Sequence, residues 1–264
     1  MDLGLTDKVA IITGGSKGIG RFTALSLAQE GVDVAICARG PEALEETAQE
    51  IRSKTGRRVL AIKADMGVPD DIKSMVASTV TEFGGVDILI NNAVTSIQAR
   101  FMDLTDEDWK THIDLKIMGY VRCSREVIPH MQRRGGGRIV NIGGIAARRV
   151  YERLFTNGVT NSAVANLAKN LSDQFAADNI LVNCIHPGST FTPRLEEGMA
   201  RYARSANISY AEAIRRSVAD IPIGRLVRPE EVADLAVYLV SNRADAIAGQ
   251  SIAVDGNEPR GIYY

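Results

Sequence analysis

The stretch that most constrains this chain is Thr13-Gly14-Gly15-Ser16-Lys17-Gly18-Ile19-Gly20. It follows a short apolar run, Val9-Ala10-Ile11-Ile12, and opens into Arg21-Phe22-Thr23-Ala24-Leu25-Ser26-Leu27-Ala28. That order is strand, glycine turn, helix. Glycine admits positive φ and a close approach of backbone to its neighbours. The free amides at the helix start then face outward and can receive a phosphate. A tight βα turn without a ligand gives the same local pattern, so the spacing to the next strand matters. That strand, 33–37, ends about twenty residues on, where dinucleotide-binding folds select their ribose.

Strands and helices alternate along the rest of the chain, which argues for βαβ units around a parallel sheet. Apolar runs at 8–12, 33–37, 58–63, 86–90, 138–142, 180–185 and 250–254 read as strands. Helical patterns cover 18–29, 41–54, 69–83, 107–133, 156–177 and 229–240. Thr105-Asp106-Glu107-Asp108 has the form of a capping box at the start of the long fourth helix. From His186 to about Ile221 the alternation breaks and two short helical patterns appear. An insertion there, at about 189–221, reads as a lid or substrate wall, because it follows the carboxyl end of a strand. No repeat, low-complexity tract or linker divides the chain, so one domain spanning 1–264 is expected.

Composition narrows the function. The 31 basic and 32 acidic residues leave a net charge of −1, which argues against electrostatic binding of nucleic acid or a membrane surface. Cys37, Cys123 and Cys184 sit in or beside apolar runs, as buried free thiols in a reducing compartment do. No apolar run reaches the roughly eighteen residues of a membrane span. The start, Met1-Asp2-Leu3-Gly4, lacks the charged and apolar regions of a secretory signal. A cytoplasmic protein is expected. No Cys/His cluster has metal-ligand spacing.

Several separated motifs resemble the short-chain dehydrogenase/reductase family. The glycine stretch resembles its TGxxxGIG, and Asn91-Asn92-Ala93 its NNAG. Gly137-Arg138-Ile139-Val140-Asn141-Ile142 is similar to the strand that carries its catalytic serine. Val182-Asn183-Cys184-Ile185-His186-Pro187-Gly188 is similar to its VNxxxPG. Ile223-Gly224-Arg225, Pro229-Glu230-Glu231-Val232-Ala233 and the segment from Gly249 to Gly256 match its C-terminal signatures. The resemblance spans nearly the whole chain. It implies an α/β single-domain Rossmann fold, a seven-stranded parallel sheet in the order 3-2-1-4-5-6-7 with helices on both faces. It also implies a homotetramer or homodimer packed through long helices, and a small-molecule substrate.

The resemblance further implies a nicotinamide dinucleotide. Gly14, Ser16, Lys17 and Ile19 would hold its phosphates and ribose, Asp65 and Met66 would flank the adenine, and Asn92 and Ala93 would line the adenine-side ribose. Pro187, Gly188 and Thr192 would hold the nicotinamide end. The second strand ends in Cys37-Ala38-Arg39, without the acid that pairs with the ribose hydroxyl of NAD. Arg39 with Lys17 suits a 2′-phosphate instead, because a guanidinium is a bidentate phosphate partner. NADP(H) is therefore expected over NAD(H). Val94 stands where NNAG ends in glycine, so crowding of the cofactor, and a chain that holds none, stay open.

The family's chemistry uses an Asn-Ser-Tyr-Lys set. Counted from the fixed motifs, Gly144 stands at the serine, Asn157 at the tyrosine, Asn161 at the lysine and Lys116 at the asparagine. Asparagine has no proton to give near neutral pH, so ordinary acid/base chemistry is not expected. The candidates for any surviving chemistry are Lys116, a partly desolvated base or electrostatic clamp or else a surface or interface lysine, and His186, a proton shuttle or else a histidine hydrogen-bonded to backbone. Tyr151, Arg148, Arg149 and Arg153 lie in the loop over the site and could grip an anion. An atypical oxidoreductase binding NADP(H) is the leading expectation. A non-redox enzyme in the same cleft and a non-catalytic nucleotide-binding protein are the alternatives.

Overall fold

The computed structural model describes residues 1–259. The elements are β1 (Val9–Thr13), α1 (Gly18–Gln29), β2 (Asp33–Ala38), α2 (Pro41–Thr55), β3 (Val59–Lys63), α3 (Pro69–Phe83) and β4 (Ile88–Asn91). They continue with α4 (Asp106–His112), α5 (Gly119–Arg133), β5 (Gly137–Ile142), α6 (Phe155–Phe175) and β6 (Ile180–Pro187). The last are α7 (Pro193–Ser205), α8 (Tyr210–Val218), α9 (Pro229–Val240) and β7 (Ser251–Val254). The seven strands pair in the order β3-β2-β1-β4-β5-β6-β7, all parallel. The expected sheet is therefore present. Its order reverses between β1 and β4, and a crevice opens beyond the strand ends there.

Side chains alternate across the sheet and build two apolar layers. Ile12, Ile36, Ile90 and Ile185 face α1, α2 and α9 through Leu27, Leu44 and Val232. Ile11, Leu89, Ile139 and Val182 face α3, α5 and α6 through Met75, Val127 and Val164. Each such buried side chain contributes about 1.5–3 kcal/mol. Proline opens α2, α3, α7 and α9, where its missing N–H costs nothing. Gly56 and Gly84 close α2 and α3 in the left-handed region, at φ +69° and +82°, as C-terminal glycines do.

Two elements depart from the sequence reading. The fourth helix is not continuous. The Thr105 capping box forms as expected, with Asp108 N–H on Thr105 Oγ1 at 3.2 Å and Thr105 N–H on Asp108 Oδ2 at 2.9 Å. After one short helix the chain widens into a π-helical turn, Ile113–Met118, before α5. Such turns carry one more residue per turn and redirect a side chain; here the redirected residue is Lys116. Gly119, just after it, packs so close that a Cβ would stand 2.8 Å from the Met66 carbonyl oxygen. The second departure is β6, which continues through His186 and Pro187, paired with Ala253 and Val254 of β7. No helix among the described residues is long and apolar enough to cross a membrane.

Candidate functional site

The crevice holds a cavity of about 610 Å³ walled by the glycine turn, the tips of β2 and β4, the turn after β3 and the start of α7. Its floor is tied together by hydrogen bonds between side chains and backbone. Thr13 Oγ1 accepts from Asn92 N–H at 2.8 Å and Ala93 N–H at 3.0 Å. The Asn92 amide donates to the Thr13 and Gly14 carbonyls at 3.0 and 3.2 Å. Gly15 N–H reaches the Cys37 carbonyl at 3.0 Å, and Thr47 Oγ1 donates to Ser16 O at 2.9 Å. Gly14 sits at φ +65°. A Cβ on Gly20 would lie 2.3 Å from the Gly14 oxygen, so only glycine lets the helix start close on the turn. These residues form a cradle for a phosphate at a helix N-terminus.

Gly14, Ser16, Lys17, Ile19, Arg39, Asp65, Met66, Asn92, Ala93 and Thr192 all line this cavity. Pro187 and Gly188 do not. Pro187 is buried opposite Val254, and Gly188 N–H is bound to the Val254 carbonyl at 2.9 Å. β6 runs on and carries both into the β7 ladder. Asn92 contributes its body rather than its amide, which is spent on the turn. Asp65 caps its own turn by accepting from Gly67 N–H at 2.8 Å. Val94 forms part of the wall without filling the cavity. Arg194, Glu197 and Leu115 also line it. Arg194 was reachable by counting two residues past Thr192, but its crossing of the cleft is a tertiary fact.

At the other end, Lys116 is buried at 1% exposure. Its amine donates to the Ile142 carbonyl at 2.6 Å and the Gly143 carbonyl at 3.3 Å, and stands 5.0 Å over the Tyr120 ring. Tyr120 O–H shares the Ile142 carbonyl at 3.0 Å. Burial pulls the Lys116 pKa from 10.5 to about 7, opposed by Cys184 and helped by the Arg194 charge. Lys116 thus reaches the strand tip beside Gly144 as expected, but it does not face an open cleft.

His186 is also 1% exposed. Its Nδ1 lies 3.0 Å from the Gly144 carbonyl oxygen and its Nε2 3.7 Å from Cys184 Sγ. A proton on Nδ1 serves the carbonyl contact, and the other tautomer accepts there from Gly144 N–H at 3.3 Å. Burial lowers its pKa to about 4, against the Gly144 bond. A Cβ on Gly143 would stand 2.7 Å from its Nδ1. His186 lies under the Gly143–Gly144 turn, in contact with the Gly144 backbone. His112 is fully buried one helical turn before Lys116, and neither ring nitrogen has a partner among the described residues.

Gly144 and Asn161 are in contact: a Cβ on Gly144 would meet Asn161 Nδ2 at 2.6 Å. The Asn157 Oδ1 is buried without a partner among the described residues. The loop above is fastened on two sides. Ala99 N–H donates to the Arg153 carbonyl at 3.1 Å, and Arg100 pairs with Glu152 at 3.1 Å. Tyr151 O–H donates to Glu258 Oε1 at 2.6 Å, and Glu258 also accepts from Arg149 at 3.2 Å and Ser189 N–H at 2.9 Å. Burial and the Glu258 carboxylate push the Tyr151 pKa well up. Glu258, buried among these donors, had no signal in the sequence. Among the described residues no group of three or more His, Cys, Asp or Glu could hold a metal ion.

A doubly wound parallel sheet with a glycine cradle at its switch point defines a dinucleotide-binding class of protein. Residues 14–256 match the family described as enoyl-(acyl carrier protein) reductase. The chain is 33% identical over 254 residues to the short-chain reductase protein NovJ of Streptomyces niveus, covering 96% of this chain and 94% of that one. It is 33% identical over 259 residues to dehydrogenase/reductase SDR family member 4 of Oryctolagus cuniculus, with 97% and 95% covered. The crystal structure of L-sorbose reductase from Gluconobacter frateurii, complexed with NADPH and L-sorbose, superimposes with a TM-score of 0.96 at 35% identity. That comparison covers 99% of this chain and 100% of the reductase. The chain belongs to the short-chain dehydrogenase/reductase family of oxidoreductases.

Proposed function

We propose that this protein is an atypical oxidoreductase that binds NADP(H) in the crevice, with a remodelled catalytic set that lacks the usual acid and base. The observation that carries the cofactor reading is the cavity itself. Lys17 and Arg39 both line it beside a β2 tip, Cys37-Ala38, that has no acid. Neither cation makes an ion pair among the described residues. A 2′-phosphate is the ligand group that such a pair recognises. Gly14, Ser16 and Ile19 would take the phosphates, Asp65 and Met66 the adenine, Ala93 the ribose and Thr192 the nicotinamide end. When bound, the cofactor supplies or accepts a hydride. The NADPH complex of L-sorbose reductase supports the same reading.

By register, Gly144, Asn157, Asn161 and Lys116 stand at the family's serine, tyrosine, lysine and asparagine positions. None of the three neutral residues can hold and release a proton near neutral pH. Lys116 instead orients the Ile142–Gly143 carbonyls and places one buried cation behind Gly144. Because that amine is sealed from the cleft, a second reading is a nucleotide-binding protein without turnover. The stretch 189–221 forms the lid of a single domain, and α7 supplies its cleft face. A second copy of the chain covers the groove between α5 and α6, where Val121, Ile128, Leu167 and Leu171 wall a cavity of about 400 Å³. The three free, buried cysteines accord with a reducing, cytoplasmic setting.

Fluorescence titration with NADPH and NADH tests the cofactor. A charge-assisted phosphate contact is worth about 1.5–3 kcal/mol, so NADPH should bind at least tenfold more tightly. Arg39→Ala should remove most of that preference. Equal affinity for the two nucleotides in the unaltered protein would contradict the assignment.

A further inference from the structure

Arg194 stands two residues into α7, on the lid side of the cavity. Its guanidinium crosses the cleft and donates from Nη2 to the Val94 carbonyl at 2.8 Å. Among the described residues no carboxylate lies within ion-pair distance of it. An arginine has five N–H donors in a fixed fork, and a single carbonyl uses only one of them.

Its neighbours fix its position along the cleft. Thr192, which caps the same helix through Leu195 N–H at 3.4 Å, rests on the glycine turn. A Cβ on Gly18 would meet Thr192 Cγ2 at 3.2 Å. The lid therefore starts directly over the phosphate cradle. Arg194 is thus held between the glycine turn, on which Thr192 rests, and Val94 just past the β4 tip. Cations along the cavity wall are Lys17, Arg39 and Arg194, against Asp65 and Glu197. Asp65 is committed to its own turn.

We propose that Arg194 grips the pyrophosphate of the bound dinucleotide from the lid, so that the cofactor lies between the glycine cradle and this guanidinium. This rests on the cofactor reading above and adds a residue to it. In that reading Asn161 leaves the nicotinamide half without the cation that α6 would otherwise supply, and Arg194 brings one from the opposite wall. The alternative is a latch: Arg194 simply ties the lid to the β4 tip through Val94.

Three probes separate the two. 2′,5′-ADP carries the adenine end without a pyrophosphate, 2′-phospho-ADP-ribose carries the pyrophosphate without nicotinamide, and NADPH carries both. Calorimetric titration of Arg194→Met should show NADPH and 2′-phospho-ADP-ribose weakened about tenfold or more, with 2′,5′-ADP unchanged within about twofold. Arg194→Lys should recover part of the loss. Thermal melting of each variant confirms that the fold is retained. Unchanged NADPH affinity in Arg194→Met would overturn the proposal. So would equal weakening of all three probes, which is the signature of a latch. Arg39→Ala, which should weaken all three, reports on the underlying reading. If the unaltered protein binds none of the probes, the cofactor reading fails and this inference falls with it.

Discussion

Lys116 shows how one residue type is bent by its surroundings. An ammonium taken fully out of water is disfavoured, and the nearby guanidinium of Arg194 disfavours it further. Two backbone carbonyls and the Tyr120 ring offset part of the penalty. The result is a pKa near 7 in the folded chain against 10.5 for the free side chain. The sign of the pH effect follows. Between about pH 7 and 10.5 the unfolded chain holds a proton that the folded chain has lost, so stability rises with pH across that window. Below it both states are charged, and the buried charge is a standing cost. Lys116→Met removes the titration. Urea melts from pH 6.5 to 9.5 should therefore show the wild type gaining on Lys116→Met, by at most about 1.4 kcal/mol per pH unit. Parallel stability curves for the two proteins would show that the amine does not titrate in this window. The buried His186 and His112 act at the acid end. Each has a folded pKa of about 4, so each costs stability as the pH falls below about 6.5.

At the scale of elements, α4, its π-helical turn and α6 decide the chemistry, while α5 and α6 decide the outer surface. The groove between α5 and α6 presents Val121, Leu167 and Leu171 to the outside. If a second copy covers it, Val121→Asp should shift the protein to a smaller species in light scattering without lowering its melting temperature. An unchanged assembly would exclude this groove as the contact. Much of this layer was legible in the sequence. The glycine turn, the alternation of strands and helices and the Thr105 cap each have a local cause. The π turn was not, because one extra residue leaves the apolar pattern of 107–133 nearly unchanged. The extension of β6 was hidden because Pro187 reads as a strand end, although at a sheet's last pairings it needs no N–H toward β7. The contacts of Arg194 and Glu258 were not legible because their partners, Val94 and Tyr151, are about a hundred residues away.

In the proposed reading the whole molecule combines a dinucleotide crevice with one sealed cation and neutral side chains at the register of its family's acid/base set. The crevice depends on the parallel order of the sheet, which brings the tips of β1, β2 and β4 together. The chemistry depends on a few side chains at the tips of β5 and α6. These two are neighbours: a Cβ at Gly144 would stand 2.6 Å from the Asn161 amide nitrogen, so serine there requires the Asn161 side chain to shift. Asn157→Tyr with Asn161→Lys returns a proton donor but leaves the substrate oxygen unheld. It also adds a second cation near Lys116, which disfavours the charged form of both. All four positions must change together. The direct measurement is NADPH oxidation, followed by absorbance over a panel of ketones and aldehydes, in the wild type and in the variant Gly144→Ser, Asn157→Tyr, Asn161→Lys, Lys116→Asn. The wild type should stay near the uncatalysed background, and the variant should rise above it by about 10²–10⁴-fold, the usual worth of general acid/base catalysis. Carbonyl reduction by the wild type at the variant's rate or faster would show that the remodelled set still does the family's chemistry.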